Sequence, residues 1–553
     1  MNRYREGIEP QAAAGWQISR LSPPSGLYGA NGMQFGPDGK LYVVQAFGSQ
    51  VSALDTTTGA CQTVSPVGGP IVAPDDLAFD SRGVMYVTEV MSARVSARTP
   101  DGQTRVIADN VPGANGITCY HDRLFMDECR PGGRLFELYP DGRAPRLLAD
   151  NLALPNALAV GPDEQIYFPL IAAGEIWRVP LAGGTPQCVV TGLAVPTAVK
   201  FDRNGLLTTT QAGNGEVVKI NLQNTAKTVV GRSRPGIDNF AIDTNNRLFI
   251  SHFVDGGVAE ILSDGQERVL VAAGFLGPWG IALASDGTLY AGDGGSLAAA
   301  AADGQWRRPS RLLEEGFPGF VRGLASGPGG NLYLTTSAGS VASYHPGTRA
   351  TQTFATGLNE LLGIARAPDG SCIVAEAGAG RLLRITAKGE ISVLASGLGR
   401  PAGVVVADNG TCCVSEESTG RVVQVNGGAT TVLDGLQKPQ GLALAGGQLF
   451  VLDVGSKELI AVSLATKQRQ TLATDLPVGA PPGITPKPLM GVPDLLPGPL
   501  SAFAGLTVGG NGAIYLAGDG EGSVLMLRKV LESVQEVYEG LQSFRTIKRM
   551  EAS

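Results

Sequence analysis

One unit repeats along almost the whole chain, and that repeat limits the fold more than any other feature. It reads as a short apolar strand, a turn of the P-D-G type, a second strand of the L-Y-V type, a small-residue loop and two further strands. NGMQFGPDGKLYVVQAF from Asn31, NALAVGPDEQIYFPL from Asn156, GIALASDGTLYAGD from Gly280 and GIARAPDGSCIVAE from Gly363 are four copies. With the turn residue as marker, copies fall at Gly39, Gly83, Asp122, Glu164, Gly205, Asn246, Gly287, Gly330, Gly370, Gly410, Gly447 and Gly512. Most steps are about 40 residues, the length of one four-stranded propeller blade. The twelve markers exceed the usual blade number of a single ring. The expected fold is therefore all-β: two tandem six-bladed β-propellers. Composition agrees, because 77 Gly and 35 Pro suit many tight turns while 43% apolar content is too high for disorder.

The repeat phases suggest a division into residues 15–265, 266–529 and 530–553. WQISRL at 16–21 reads as an outer strand that closes the first ring against the strand ending near residue 265. ERVLVAAGF then closes the second ring against GSVLMLRK at 522–529, and neither ring keeps an open sheet edge. A single array with another break point is the alternative. VGAPPGITPKPLMGVPDLLPGPL is too proline-rich to join a ladder and reads as a lid or an ordered brace. Val530, Val534, Val537, Tyr538 and Leu541 recur at helical spacing, predicting an amphipathic helix over 530–553 that packs on the rim or contacts a partner.

A net charge of −7 argues against nucleic acid or an anionic membrane as partner and favours a small-molecule substrate. The N-terminal stretch MNRYREGIEPQAAAGW lacks an apolar core, and the chain contains no apolar run of membrane-spanning length, so a soluble, cytoplasmic protein is expected. Its seven cysteines lack C-x-x-C spacing and read as reduced thiols.

In a propeller, the loops entering each innermost strand and leaving each second strand surround one mouth of the central channel. At the position before the innermost strand the first ring reads Asn31, Asp75, Asn115, Asn156, Thr197 and Asp238, with Asp76 and Asn239 adjacent. The second ring reads Trp279, Arg322, Leu362, Ala402, Gln440 and Ala504. Asx residues favour turns for local reasons, but a local cause would act in both rings alike. Converging carboxylate and amide oxygens suit a hard divalent cation, Ca²⁺ first, whereas zinc would need scarcer His and Cys.

On the loop leaving the second strand, the first ring carries Gln45, Glu89, Glu128, Leu170, Gln211 and His252. The second carries Asp293, Thr336, Glu376, Glu416, Asp453 and Asp519, a regular acid that reads as architectural, accepting backbone N–H bonds from the loop of the neighbouring blade. Of the three histidines only His252 maps to a mouth, where a neutral imidazole suits a general base; the alternative is a hydrogen-bonded loop histidine. Phe47, Phe168, Leu170 and Phe253, with Gln211, are the expected pocket walls.

Asn115-Gly116, Pro155-Asn156, Asp75-Asp76 and Asp238-Asn239 resemble the senescence-marker protein/gluconolactonase/paraoxonase-like superfamily of six-bladed calcium propellers, over roughly residues 15–265. The resemblance implies a divalent cation, usually Ca²⁺, that polarises a lactone or ester carbonyl while a nearby base activates water. By position it implies Asn115, Asn156 and Asp238 as ligands, with Asn31 and Asp75 next. The family's usual first-blade glutamate is replaced by Asn31-Gly32, and Asp75 is the residue available to compensate. Pro278-Trp-Gly-Ile-Ala, Pro401-Ala-Gly-Val and Pro439-Gln-Gly-Leu-Ala resemble NHL-repeat and virginiamycin B lyase propellers.

The expected activity is metal-dependent hydrolysis of a lactone or ester, with His252, Glu89 or Glu128 managing protons. Metal-assisted elimination or isomerisation is a second possibility. A non-catalytic double-propeller scaffold is a third.

Overall fold

The computed structural model describes residues 3–4, 8–301, 303–312 and 314–530. The expected helix lies, beyond Val530, outside the described residues. Regular structure among the described residues is antiparallel strand, apart from two short 3-10 turns at Pro328–Gly330 and Ala377–Ala379. Twelve sheets follow one another, eleven of four strands and one of five, besides a small two-stranded hairpin. Among the described residues no helix is long and apolar enough to cross a membrane.

Each marker residue sits in the left-handed backbone region, from Asp122 and Glu164 at φ 59° and 58° to Gly287 at φ 86°. That conformation closes the hairpin between the first two strands of each sheet, and Gly adopts it without the Cβ penalty other residues incur. The repeated glycine thus has a local steric cause.

Sheets pack face to face in two closed cycles of a β-propeller arrangement. In the first, the innermost strands run from Met33–Phe35 through Pro74–Phe79, Ala114–Tyr120, Ala159–Val160 and Pro196–Phe201 to Ile237–Ile242, which packs back on Met33–Phe35. The Ser251 hydroxyl donates to the Asn31 carbonyl at 2.6 Å across this closure. In the second cycle Pro278–Leu283 packs against Leu506–Val508, and the Gly505 N–H donates to the Trp279 carbonyl at 2.9 Å.

The closing strands differ from the expectation. Glu267–Val271 is the fourth strand of the sixth sheet, paired with Val258–Ile261. Trp16–Arg20 instead pairs with Ser523–Lys529 as the outermost strand of the twelfth sheet. The turn Ser263-Asp264-Gly265 explains the first assignment: the Leu262 N–H donates to the Gln266 carbonyl at 2.8 Å, a local hairpin with almost no loop to close. The first cycle therefore needs no exchanged strand, and the second is closed by the N-terminal segment. Gln11–Ala12 adds a fifth strand to the eleventh sheet.

The cycles meet through an apolar cluster in which Ala46, Val72, Val90 and Met91 of the first touch Trp279, Phe320 and Leu362 of the second. The proline-rich segment 478–500 is a brace here. Val492 and Leu500 are buried in the same cluster, and Lys457 holds the segment by donating to the Val478 and Ala480 carbonyls at 2.6 and 2.7 Å.

Candidate functional site

The first-cycle mouth gathers the Asx residues identified from sequence. Asn31, Asn115 and Asn156 are buried with Asp76, while Asp75 and Asp238 are part-buried. A strand start puts the mouth residue at the channel and the next residue against the neighbouring sheet. The Gly32 N–H donates to the Asp75 carbonyl at 2.7 Å, and the Ile117 N–H to Asp76 Oδ2 at 3.3 Å.

These carboxyls crowd one another. Burial, then the charges of Asp238, Asp76 and Asp127, push Asp75 well above the usual carboxylate range. Burial and the Asp76 charge push Asp238 up to about 7, against a hydrogen bond from Asn31. Asp76 rises to about 6 through burial, opposed by the Lys200 ammonium and by the Leu77 and Ile117 N–H groups. Lys200 crosses the channel below the mouth, donating to the Met33 carbonyl at 2.8 Å.

Two buried oxygens at this site, Asn115 Oδ1 and Asp127 Oδ2, have no hydrogen-bond partner. Burying acceptors without donors is costly, and a hard cation beside them would offset that cost while relieving the carboxylate repulsion. The donor set therefore fits an oxygen-seeking divalent ion. Among the described residues no group of three or more His, Cys, Asp or Glu is spaced to hold one alone, so amide oxygens would have to complete the shell. Asn31 and Asn156 currently turn Oδ1 to the Ala46 and Ala157 N–H groups, at 3.2 and 2.7 Å.

Asp127 was missed from sequence. It sits one residue before Glu128, and its Oδ1 accepts the Gly116 N–H at 3.1 Å. The equivalent residues of other sheets include Thr88, Ser251, Thr335 and Ser415, whose hydroxyls bridge inner strands. Comparing sheets at that position would have exposed the lone acid.

The expected proton-handling residues lie elsewhere in the bonding scheme. Glu89 accepts the Val72 N–H at 2.6 Å and pairs with Arg94; Glu128 pairs with Arg130 and Arg134. Glu89 anchors the connection entering its own sheet, as Asp293, Glu376, Glu416 and Asp453 do in the second cycle. These acids hold their own sheet's connection and not the expected loop of the neighbouring blade, because a carboxylate reaches the backbone just upstream of its own hairpin first. His252 is fully buried, with Nε2 3.0 Å from Ser233 Oγ and Nδ1 unpartnered. Burial pushes it down to about 4, Asp255 opposes and Arg234 assists, so its neighbours are that ion pair and not the mouth acids.

Of the expected walls, Phe168 and Leu170 belong to the core between the third and fourth sheets. Gln211 accepts the Ala194 N–H at 2.6 Å, repeating the Glu89 role. Phe253 is part-buried, and Phe47 lines a cavity between the two cycles.

The second mouth is built differently. The residues after its six mouth positions are all glycine: Gly280, Gly323, Gly363, Gly403, Gly441 and Gly505. A Cβ at Gly403 would lie 2.1 Å from the Gln440 carbonyl oxygen, so this collar exists because inner strands approach too closely for side chains. Phe503 borders the narrow channel the collar leaves.

No protein-family model matches the chain. Over 146 residues, 26% of this chain and 34% of the relative, it is 30% identical to a gluconolactonase of Zymomonas mobilis subsp. mobilis. The chain thus spans about a third of that relative's length. A streptogramin B lyase structure shows a TM-score of 0.38 at 18% identity, covering 50% of this chain and 94% of that one. A gluconolactonase from Xanthomonas campestris shows 0.36 at 16% identity, covering 46% and 95%. At these scores neither structural likeness carries an inference. The resemblance to gluconolactonases holds over part of the chain.

Proposed function

We propose that the two cycles are two six-bladed propellers, spanning about residues 30–273 and 274–529 with Trp16–Arg20 completing the second, and that the first hydrolyses a lactone or ester. The observation that carries this reading is the unsatisfied acid and amide cluster at the first mouth, which the second mouth lacks. The gluconolactonase-like segment supports the same class of substrate.

In this reading Asp75, Asp127, Asn115 and Asn156 hold a divalent cation, Ca²⁺ first. When bound, the cation supplies Lewis-acid polarisation of the substrate carbonyl. Asp238 takes the proton from attacking water. Its carboxyl stands next to the proposed cation ligands, hydrogen-bonded by Asn31, where a carboxylate can accept a proton from water. The Asn31 side chain, hydrogen-bonded to Asp238, positions that base. Lys200 holds the channel beneath and offsets the Asp76 charge. His252, Glu89 and Glu128 have no proton-transfer role.

Calorimetric titration with Ca²⁺ and proton release from gluconolactone test the reading together. Binding tighter than about millimolar, weakened in Asp75→Asn and Asn115→Ala, is expected. Hydrolysis should fall in Asp238→Asn while Ca²⁺ binding persists. Wild-type binding and turnover in all three variants would sink the assignment.

A further inference from the structure

The proline-rich segment 478–500 is anchored in the second cycle at both ends and lies against the first cycle in between. The Gly479 N–H donates to Asp519 Oδ1 at 2.7 Å, and the Ala504 N–H to Gln440 Oε1 at 2.8 Å. Between these anchors, a Cβ at Gly68 would lie 3.1 Å from Ile484 Cγ2, and one at Gly113 would lie 3.1 Å from Val492 Cγ1. Gly68 is in the connection that enters the second sheet ahead of Asp75, and Gly113 stands two residues before Asn115. Leu489, Leu495 and Leu496 pack on the cluster that holds Val72, Ala73, Val90 and Met91. The segment therefore follows the rim of the first mouth from the second sheet to the third.

The same segment walls a cavity of about 300 Å³ between the cycles, lined by Tyr28, Phe47, Trp279, Pro481, Pro488 and Leu489 among others. This cavity adjoins the first mouth on the side of Asn31. Tyr28 stands three residues before Asn31, and Asn31 Oδ1 accepts the N–H of Ala46, the residue before Phe47.

The charged groups on the cavity wall are engaged within the protein. Arg400 pairs with Glu360 and Glu417, Lys438 pairs with Glu417 at 2.9 Å, and Asp519 holds the Gly479 N–H. Lys487 is exposed. These walls ask for no charge from an occupant. Aromatic, proline and leucine surfaces around such a volume suit an uncharged apolar group, whose removal from water supplies the affinity. A substituent rich in hydroxyls would lose its bonds to water there without replacement.

We propose that this cavity receives the apolar substituent of a neutral lactone or ester whose carbonyl lies at the first mouth, so that the second cycle sets the specificity of the first. The inference rests on the hydrolytic reading above and names its substrate class. Phe47 from the first cycle and Leu489 from the second are the specificity-determining side chains.

Hydrolysis of δ-decalactone and of gluconolactone, δ-lactones with a pentyl and a hydroxylated periphery, reads the selectivity. kcat/KM should favour δ-decalactone by about tenfold or more. Leu489→Asn and Phe47→Ser should each lower kcat/KM for δ-decalactone about tenfold and change that for gluconolactone less than about twofold. Leu147→Asn, at an exposed position on an outer strand, should match wild type on both substrates. Methyl heptyl ketone carries an apolar chain but cannot be hydrolysed, and calorimetric titration of the metal-free full chain with it reads the cavity alone. One site per chain is expected, weakened about tenfold in Leu489→Asn and retained in Asp238→Asn. Octanoate should bind no more tightly than the ketone. Should Phe47→Ser fail to fold, Leu489→Asn and Leu489→Ala carry the comparison. No preference for δ-decalactone, equal loss on both lactones in Leu489→Asn, tighter binding of octanoate, or no ketone binding below about 10 mM would overturn the proposal. Ketone binding with neither lactone hydrolysed would place the failure in the hydrolytic reading, and gluconolactone turnover without ketone binding would place it in the cavity.

Discussion

His252 yields the sharpest numerical prediction. Its ring is fully buried, bonded to Ser233 and flanked by the Asp255–Arg234 pair. Burial lowers its pKa from 6.5 to about 4. An unfolded chain takes up a proton at this histidine below pH 6.5, and the folded chain does not until about pH 4. The unfolded state therefore binds more protons in that window, and folding stability falls as pH drops through it. At 1.36 kcal/mol per pH unit the gap corresponds to about 3 kcal/mol. Asp255 does not mask the effect, because Arg234, outweighing burial, holds it down to about 2, below the window. His252→Gln keeps a polar group near Ser233 and removes the titration. Urea unfolding of both proteins at pH 7.5 and pH 4.5 isolates the term. The variant should lose about 3 kcal/mol less than wild type on acidification. An equal loss in both proteins, or a His252 resonance titrating near pH 6.5, would refute the buried placement and reopen its role as a base.

Three further outcomes follow from the packing. Gly403→Ala drives a Cβ into the Gln440 carbonyl and should cost about 3 kcal/mol, whereas Gly428→Ala meets nothing within 4 Å and should stay within about 0.5 kcal/mol; equal unfolding midpoints would contradict the collar. Asp238 has a raised folded pKa, so its stabilising contribution is present below its ordinary 3.8 and is lost as pH rises through about 7. Asp238→Asn without added metal should remove that decline and gain a few kcal/mol at pH 8; denaturant melts across pH 5 to 8 that match wild type would count against the crowded-acid site. Deleting residues 1–21 uncovers the Ser523–Lys529 edge and the Arg20 partner Glu521, so self-association should appear in sedimentation; a stable monomer would show that the twelfth sheet does not need its borrowed strand.

How much was legible in sequence varied with how local the cause was. Gly39, Asp122 and their counterparts announced the blades because each closes a hairpin within its own few residues. The Asx bias at Asn31, Asp75, Asn115, Asn156 and Asp238 was visible because twelve equivalent positions allowed comparison within one chain. The ion pairs of Glu89 and Glu128 were not legible because their partners, Arg94 and Arg134, stand five and six residues downstream on the next strand, where a carboxylate anchor and a proton carrier have the same letters. The packing of Leu170 and Phe168 was not legible because alternation along a strand does not say which of two neighbouring sheets a side chain packs against.

The sequence alone determined the β class, the succession of four-stranded sheets and the asymmetry in residue type between the two sets of strand starts, since each rests on turn geometry or on a residue type repeated at a period. Only the tertiary structure decided which strand closes which cycle, because Trp16–Arg20 and Ser523–Lys529 are some five hundred residues apart and their pairing is a competition among edges. It alone also brought Asp127 and Lys200 to the acid cluster and set Arg322 against Trp279. Charge and burial at those positions arise from neighbours supplied by other blades, and a residue's own surroundings in the chain do not specify them.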